Sequence, residues 1–279
     1  MGVTSSLDRS NKRNGVESLI TDILPDIDTH TIVNNTEIGR GNQGIVFSGY
    51  YKSNNVAIKF LYSITDDNIS LQELRRELSI TRYLYHRNIV RVYGFVHGKG
   101  KYTNMIGIVM DLLRGNSLSY NIYIIKRDNT YDQKLFIMLS ICKGLIYLHD
   151  NNIIHRDIKS DNVLVEYDNN NNIYTRVVLA DYGIAREINT EGANTKCGTF
   201  SYIAPEIISG RKYDKRADIY SLGVLLWEII QQMRPLEDNG FPIITDINIS
   251  QLINKLLSTD PVNRPSIYLV ASIIQELYK

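Results

Sequence analysis

The residues with the most chemical content lie in four short runs. Gly39-Arg40-Gly41-Asn42-Gln43-Gly44 has the spacing G-x-G-x-x-G and leads into Ile45-Val46-Phe47, which has the texture of a strand. A dinucleotide fold needs such a turn to open a helix. These glycines read instead as the turn of a hairpin, where a missing Cβ lets backbone N–H groups approach phosphate oxygens. Taken alone, the run is equally well a glycine-rich turn with no ligand. Val56-Ala57-Ile58-Lys59 puts an ammonium on the next strand, where it could pair with nucleotide phosphates. A buried ammonium needs a carboxylate partner to keep its charge, and the helical stretch that follows offers Glu73 and Glu77. His155-Arg156-Asp157-Ile158-Lys159-Ser160-Asp161-Asn162 is a polar loop between a long helix and a strand, Asp181-Tyr182-Gly183 follows another strand, and Ala204-Pro205-Glu206 comes later.

The elements that must position these residues follow from periodicity. Residues 1–31 read as a flexible leader, polar and aperiodic over 1–15, with a short amphipathic helix over 16–24 that ends before Pro25. From Ile32 the texture is β-rich, with strands around 45–47 and 56–58, a helix over 71–85, and further strands over 89–96 and 106–110. After Gly115 the chain turns helical. Leu135, Leu139, Cys142 and Ile146 recur at helix spacing, and 218–230 is apolar on nearly every face, as a central buried helix would be. Asn169-Asn170-Asn171-Asn172 falls between two β-like stretches and reads as a hairpin loop of biased composition. A small β-rich half followed by a larger helical half predicts an α+β fold.

Composition narrows the function classes. With 279 residues, 43% of them hydrophobic, the chain can bury one large core or two smaller ones, and wholesale disorder is excluded. A net charge of +1 gives no overall field to draw it onto nucleic acid or an anionic membrane, so no nucleic-acid partner is expected. Cys142 and Cys197 are too few for a disulfide framework or a zinc knuckle. No run approaches the ~20 apolar residues of a membrane helix. Met1-Gly2-Val3-Thr4-Ser5-Ser6 fits the pattern for myristoylation of Gly2, which by itself gives only marginal membrane binding. The expectation is a cytoplasmic protein, with weak membrane association only through an acylated Gly2; composition says nothing about oligomeric state.

Together, in this order and spacing, the runs resemble the signature set of the eukaryotic protein kinase family. The resemblance covers residues 32–277 and implies a two-lobed fold, with an N-lobe over about 32–110 and a C-lobe over about 115–279. It implies ATP and Mg2+ as cofactors and a protein as substrate. On this likeness, Gly39, Arg40, Gly41, Asn42, Gln43, Gly44 and Ile45 cover the ATP phosphates, while Ile38, Val46, Ala57 and Leu164 line the adenine slot. Met110 gates the back of that slot, and Asp111 and Leu113 offer backbone groups to the base. Lys59 holds the α- and β-phosphates and pairs with Glu77 rather than Glu73, since the family's glutamate stands nine positions before a histidine like His86. Asp157 orients the substrate hydroxyl and accepts its proton, Asn162 and Asp181 hold magnesium, and Lys159 neutralises the migrating phosphoryl group.

Lys159 and the stretch Gly198-Thr199-Phe200-Ser201-Tyr202-Ile203-Ala204-Pro205-Glu206 resemble the serine/threonine class, and the texture of 218–228 is similar to its tyrosine-kinase-like group. The resemblance also implies structural roles: His155 packs in the hydrophobic spine, Glu206 and Arg264 form a buried ion pair, and Asp218 holds the catalytic loop's backbone. Arg156 implies regulation by phosphorylation, with Thr190 and Thr195 as candidate acceptors. Tyr182 and Thr81 stand where the family usually has Phe and Leu, and 231–249 is short for the family. A non-catalytic scaffold is the rival, and it is disfavoured because Lys59, Asp157, Asn162 and Asp181 are all present. A small-molecule kinase of related fold is disfavoured by the intact run from Thr199 to Glu206.

Overall fold

The computed structural model describes residues 25–41, 44–61, 81, 83–102, 105–181, 200–235 and 244–278. The expected helices over 16–24 and 71–85 therefore lie almost wholly outside the described residues, as do Gly2, Glu73, Glu77, Tyr182, Cys197 and Thr199. The chain divides into two compact units, Met1–Tyr85 with Val90–Leu112 and His86–Ile89 with Leu113–Lys279.

The first unit is an antiparallel sheet of β1 (Val33–Gly41), β2 (Gly44–Tyr51), β3 (Asn54–Leu61), β4 (Val92–His97) and β5 (Ile106–Asp111), in the order β1-β2-β3-β5-β4. Alternation of side chains along each strand divides its residues between two faces. One face carries Val56, Ile58, Phe60, Val96 and Val109, which pack with Ile27 and Ile32 into a core flanked by Phe47, Tyr51, Tyr93 and Met105.

Ile27 corrects the expected leader. Residues 25–31 belong to the folded unit: Ile27 N–H donates to Phe95 O at 2.8 Å, Phe95 N–H donates to Pro25 O at 3.1 Å, and Asp26 pairs with Phe95 as a parallel bridge. Gly94 permits this approach, since a Cβ there would stand 2.3 Å from Pro25 O. A β4 edge that would otherwise expose its backbone groups is thereby covered.

The second unit contains α1 (Leu118–Tyr123), α2 (Tyr131–Asp150), the hairpin β6 (Val163–Asp168) and β7 (Ile173–Leu179), α3 (Pro205–Ile208), α4 (Arg216–Gln231), α5 (Ile247–Leu256) and α6 (Ile267–Leu277). Helix α2 starts at a capping box in which Thr130 and Gln133 satisfy each other's backbone N–H. Its burial exceeds the expected single stripe: Ile137, Met138, Ile141, Leu145 and Leu148 are buried as well, because α4, α6 and β7 pack around it. Helix α4 is buried nearly all round from Ala217 to Ile229, as its apolar run predicts. The Asn169–Asn172 segment is the expected hairpin turn, with the Asp168 carboxylate accepting from Asn170 N–H at 2.9 Å and Asn171 Nδ2 at 2.6 Å.

His86–Ile89 joins the second unit, although the expected strand over 89–96 placed Ile89 in the β-rich half. The reason is side-chain and backbone chemistry. Asn88 Nδ2 donates to Val177 O at 2.8 Å, Leu179 N–H donates to Asn88 O at 2.9 Å, and the His86 ring stacks on Tyr147 at 4.9 Å. Among the described residues, no helix is long and apolar enough to cross a membrane.

Candidate active site

In the first unit, strand pairing sets the site. Gly39 pairs with Val46, Val46 with Lys59 and Lys59 with Ile108, so these four form one row across β1, β2, β3 and β5. Ala57 pairs with Ser48 and Met110 in the next row on the same face. This is the face opposite the Ile58–Phe60 core, and on it Ala57, Lys59 and Met110 are buried. The sheet therefore lines up one cation with small and apolar neighbours, the set that phosphates and a flat base require. Asp111 N–H is engaged by Arg91 O at 2.9 Å, and the Asp111 carboxylate accepts from Tyr93 Oη at 2.8 Å. Any group Asp111 lends to a base is thus its carbonyl oxygen.

The glycine run divides into unlike parts. At Gly41 a Cβ would meet no described heavy atom within 4 Å, and at Gly39 it would meet only Val46 Cβ, at 4.0 Å. Protein packing gives no reason for glycine at either position, and room kept clear at a hairpin turn suits an approaching phosphate. Gly44 is different: a Cβ there would stand 1.9 Å from Phe60 O, so its glycine is demanded by strand packing. Ile38 falls at the bulge between Glu37 and Gly39 and is 51% exposed, an apolar side chain not absorbed by the core.

Two further residues of this run differ in their surroundings. Ile45 pairs with Phe60 and is 1% exposed, so alternation puts it on the core face, away from the row that holds Val46 and Lys59. Arg40 is exposed, with its guanidinium on Glu37 at 2.8 Å. Asn42 and Gln43 lie outside the described residues, as does Glu77.

In the second unit, one buried carboxylate sets the loop. Asp218, near the start of α4, is 1% exposed and accepts from His155 N–H at 2.8 Å and Arg156 N–H at 2.9 Å, with His149 Nε2 at 2.8 Å. Arg156 is thereby held in the left-handed region at φ 71°, a conformation that persists only where surroundings over-determine it. Asp157 N–H then donates to His155 Nδ1 at 3.3 Å. Burial pushes the His155 imidazole below its ordinary value, which keeps that nitrogen an acceptor. His155 is thus structural.

The Asp157 carboxylate is half-buried and asymmetric. Its Oδ2 accepts from Asn162 Nδ2 at 2.7 Å and from Lys159 Nζ at 2.8 Å. Oδ1 has no hydrogen bond among the described residues, so it is the oxygen that can receive a hydroxyl proton. Asn162 Nδ2 also donates to Asp157 O at 2.8 Å. With both amide protons engaged, the atom Asn162 can offer a cation is its carbonyl oxygen. Ala180 N–H donates to Asn162 O at 2.8 Å, which brings Asp181, at φ 58°, beside the same loop.

Among the described residues, no group of three His, Cys, Asp or Glu side chains is placed to hold a metal. Magnesium does not require one, because it takes one or two hard oxygen ligands from protein and completes its octahedron with phosphates and water. One amide oxygen and one carboxylate fit that demand. Leu113 is buried at the start of the second unit's main stretch, and Leu164 on β6 is half-buried and bridged to Ser117.

Two further buried acids support the site. Glu206 meets Arg264 through two hydrogen bonds of 2.6 and 2.8 Å; burial alone would raise its carboxyl, but the guanidinium holds it below the ordinary range. Sequence reasoning does not single out Glu228. It accepts from Ser160 Oγ at 2.6 Å and from the hydroxyls of Tyr123 and Tyr202. Ser160 belongs to the same loop as Asp157, so Glu228 fixes that loop's far end as Asp218 fixes its start. The signal available was physical: a carboxylate on a helix buried all round must find donors.

A sequence profile of the protein kinase domain matches residues 32–278. The chain is 32% identical over 262 residues, 87% of its length, to the probable serine/threonine-protein kinase kinX of Dictyostelium discoideum, of which the match covers 23%. It is 32% identical over 87% of its length to the serine/threonine-protein kinase STY46 of Arabidopsis thaliana, covering 44% of that protein. It is 28% identical over 94% of its length to the RGS domain-containing serine/threonine-protein kinase A of Dictyostelium discoideum, covering 24% of that protein. The chain thus spans between about a quarter and under half of these relatives. A kinase domain profile over nearly the whole chain, on top of the row at Lys59 and the loop at Asp157, shows that this chain belongs to the protein kinase domain family.

Proposed function

We propose that this chain transfers the γ-phosphate of ATP to serine and threonine hydroxyls of proteins. The observation that carries the reading is the Asp157 carboxylate, with Oδ2 tied to Lys159 and Asn162 and Oδ1 left to a substrate hydroxyl. Phosphoryl transfer asks mainly for positioning and for cations near the charged oxygens. Asp157 orients the attacking hydroxyl and takes its proton at Oδ1. Lys159, 2.8 Å from the same carboxylate, brings a positive charge to the oxygens of the group being transferred. Lys59 pairs with phosphates on the sheet face it shares with Ala57 and Val46. Asn162 and Asp181 would hold magnesium, which when bound supplies charge that offsets the phosphate oxygens. Serine and threonine as acceptors rest on Lys159 and on the serine/threonine kinases this chain is similar to.

The test is transfer from Mg-ATP to a mixed protein substrate by the purified chain and by an Asp157→Asn variant, with identification of the modified residues. Loss of the base should lower kcat about 10²- to 10⁴-fold. A variant as fast as the parent, or phosphate on tyrosine alone, would sink the reading.

A further inference from the structure

Tyr167 and Asn169, at the end of β6 and the start of the asparagine turn, form one wall of a cavity of about 90 Å3 in the second unit. The other walls come from α1 and the loops flanking it, through Arg114, Asn116, Tyr120, Asn121 and Arg127. The space admits one anionic headgroup with a few waters. Two of the lining residues are arginines, and none of the described lining residues is acidic.

Arg127 is fixed before any ligand arrives. Its guanidinium carbon lies 3.5 Å from the centroid of the Tyr167 ring, and its Nε donates to Asn121 Oδ1 at 2.9 Å. One terminal nitrogen reaches Asn169 Oδ1 at 3.4 Å, and its own carbonyl accepts from Gln232 Nε2 at 2.6 Å. Asn121 is itself 1% exposed and locked by donation to Gly115 O at 2.6 Å and Ser117 O at 2.8 Å. None of Arg127's described contacts is with a carboxylate. A half-buried guanidinium held by neutral groups and a ring has its charge still to be matched, and its preset plane lowers the entropic cost of binding. Beside the cavity, Tyr120, Ile124 and Ile125 are exposed at 40, 62 and 47%. An apolar rim next to two arginines suits a ligand that alternates apolar and acidic side chains.

We propose that this cavity docks a protein ligand through the carboxylate or phosphate of an acidic side chain paired with Arg127 and Arg114, with flanking apolar side chains against Tyr120 and Ile125. The site goes beyond phosphoryl transfer and its test does not depend on it. Fluorescence anisotropy with the whole chain would use a labelled peptide of alternating glutamate and leucine, a glutamine-for-glutamate control and a phosphoserine-for-glutamate version. An acidic peptide should bind saturably, weaken as salt is raised, and bind about tenfold or more weakly to Arg127→Gln and Arg114→Gln. Which acidic peptide binds tells carboxylate from phosphate. Arg114→Gln, at an exposed position, guards against a folding failure in Arg127→Gln, and it should retain transfer to a mixed substrate. Binding of the glutamine control as tight as that of the acidic peptides, unchanged affinity in both variants, or no binding at all would overturn the proposal.

Discussion

The two units hold their functional residues by different means. Among the described residues of the first unit, the buried polar side chains are Lys59 and Thr81, and the position of Lys59 is dictated by a ladder of backbone pairs. In the second unit Asp218, Glu206, Glu228, Arg264, His149 and Asn162 are all buried, and they hold loops that have no ladder of their own. A strand can aim a side chain by register alone. A loop that must fix a carboxylate cannot, and long-range buried charges replace the ladder. The second solution is the more vulnerable, since removing one partner leaves a desolvated donor or charge behind.

The largest effect should come from Arg264. Arg264→Ala strands the Glu206 carboxylate, 3% exposed, and also removes donors to Ser258 O and Arg216 O. Breaking such a pair typically costs about 3–5 kcal/mol, readable as a lower denaturation midpoint. A double Glu206→Ala, Arg264→Ala variant should recover part of that loss. If the double variant is no more stable than Arg264→Ala, the stranded charge is not the cause.

Asp218→Ala should come next. It leaves two backbone N–H groups and His149 Nε2 without their acceptor, at a cost of about 2–4 kcal/mol. Transfer activity should fall even at temperatures where the variant is folded, because Arg156 loses what holds it at φ 71°. Retained activity in a folded variant would show that the loop is positioned by other contacts.

The first unit offers a smaller and sharper test within one motif. Gly44→Ala places a methyl against the Phe60 carbonyl and should cost about 1–3 kcal/mol of stability. Gly41→Ala meets open space and should leave stability within about 0.5 kcal/mol while weakening ATP binding. Equilibrium unfolding and nucleotide titration of both variants separate the two roles. Equal stability losses would mean that both glycines serve packing.

The same contrast explains what was legible in the sequence. The strand over Val56-Ala57-Ile58-Lys59 was legible, and alternation along it puts Lys59 and Ala57 on one face and Ile58 on the other, as the structure has them. Applied one strand earlier, it would have separated Ile45 from Val46, because neighbours on a strand cannot share a face. The carboxylate anchors were harder. Asp218 lies 63 residues from His155 and Glu228 lies 68 from Ser160, and no local periodicity links such partners. Family resemblance supplied Asp218 and the Glu206–Arg264 pair, and nothing supplied Glu228. Residues 25–31 were missed for a related reason: one buried isoleucine in a polar stretch gives no pattern, and its packing is decided by β4, far along the chain.

The smallest expected effect concerns Glu228, and it is read as a slope with pH. Burial raises its carboxyl above the ordinary glutamate value, against the lowering effect of the hydroxyls of Ser160, Tyr123 and Tyr202. The folded chain therefore holds this proton more tightly than the unfolded chain does. Below the ordinary glutamate range both states are protonated and the residue's contribution is fully present. As pH rises past that range and through the raised folded value, the unfolded chain ionises first, and the contribution is lost. Glutamine at this position carries no such penalty, so the stability of the parent relative to Glu228→Gln should decline with rising pH across that window. Denaturation midpoints of both proteins at a series of pH values measure the slope. Parallel profiles would mean that the three hydroxyls solvate the carboxylate as well as water does, and that this anchor is indifferent to its own charge.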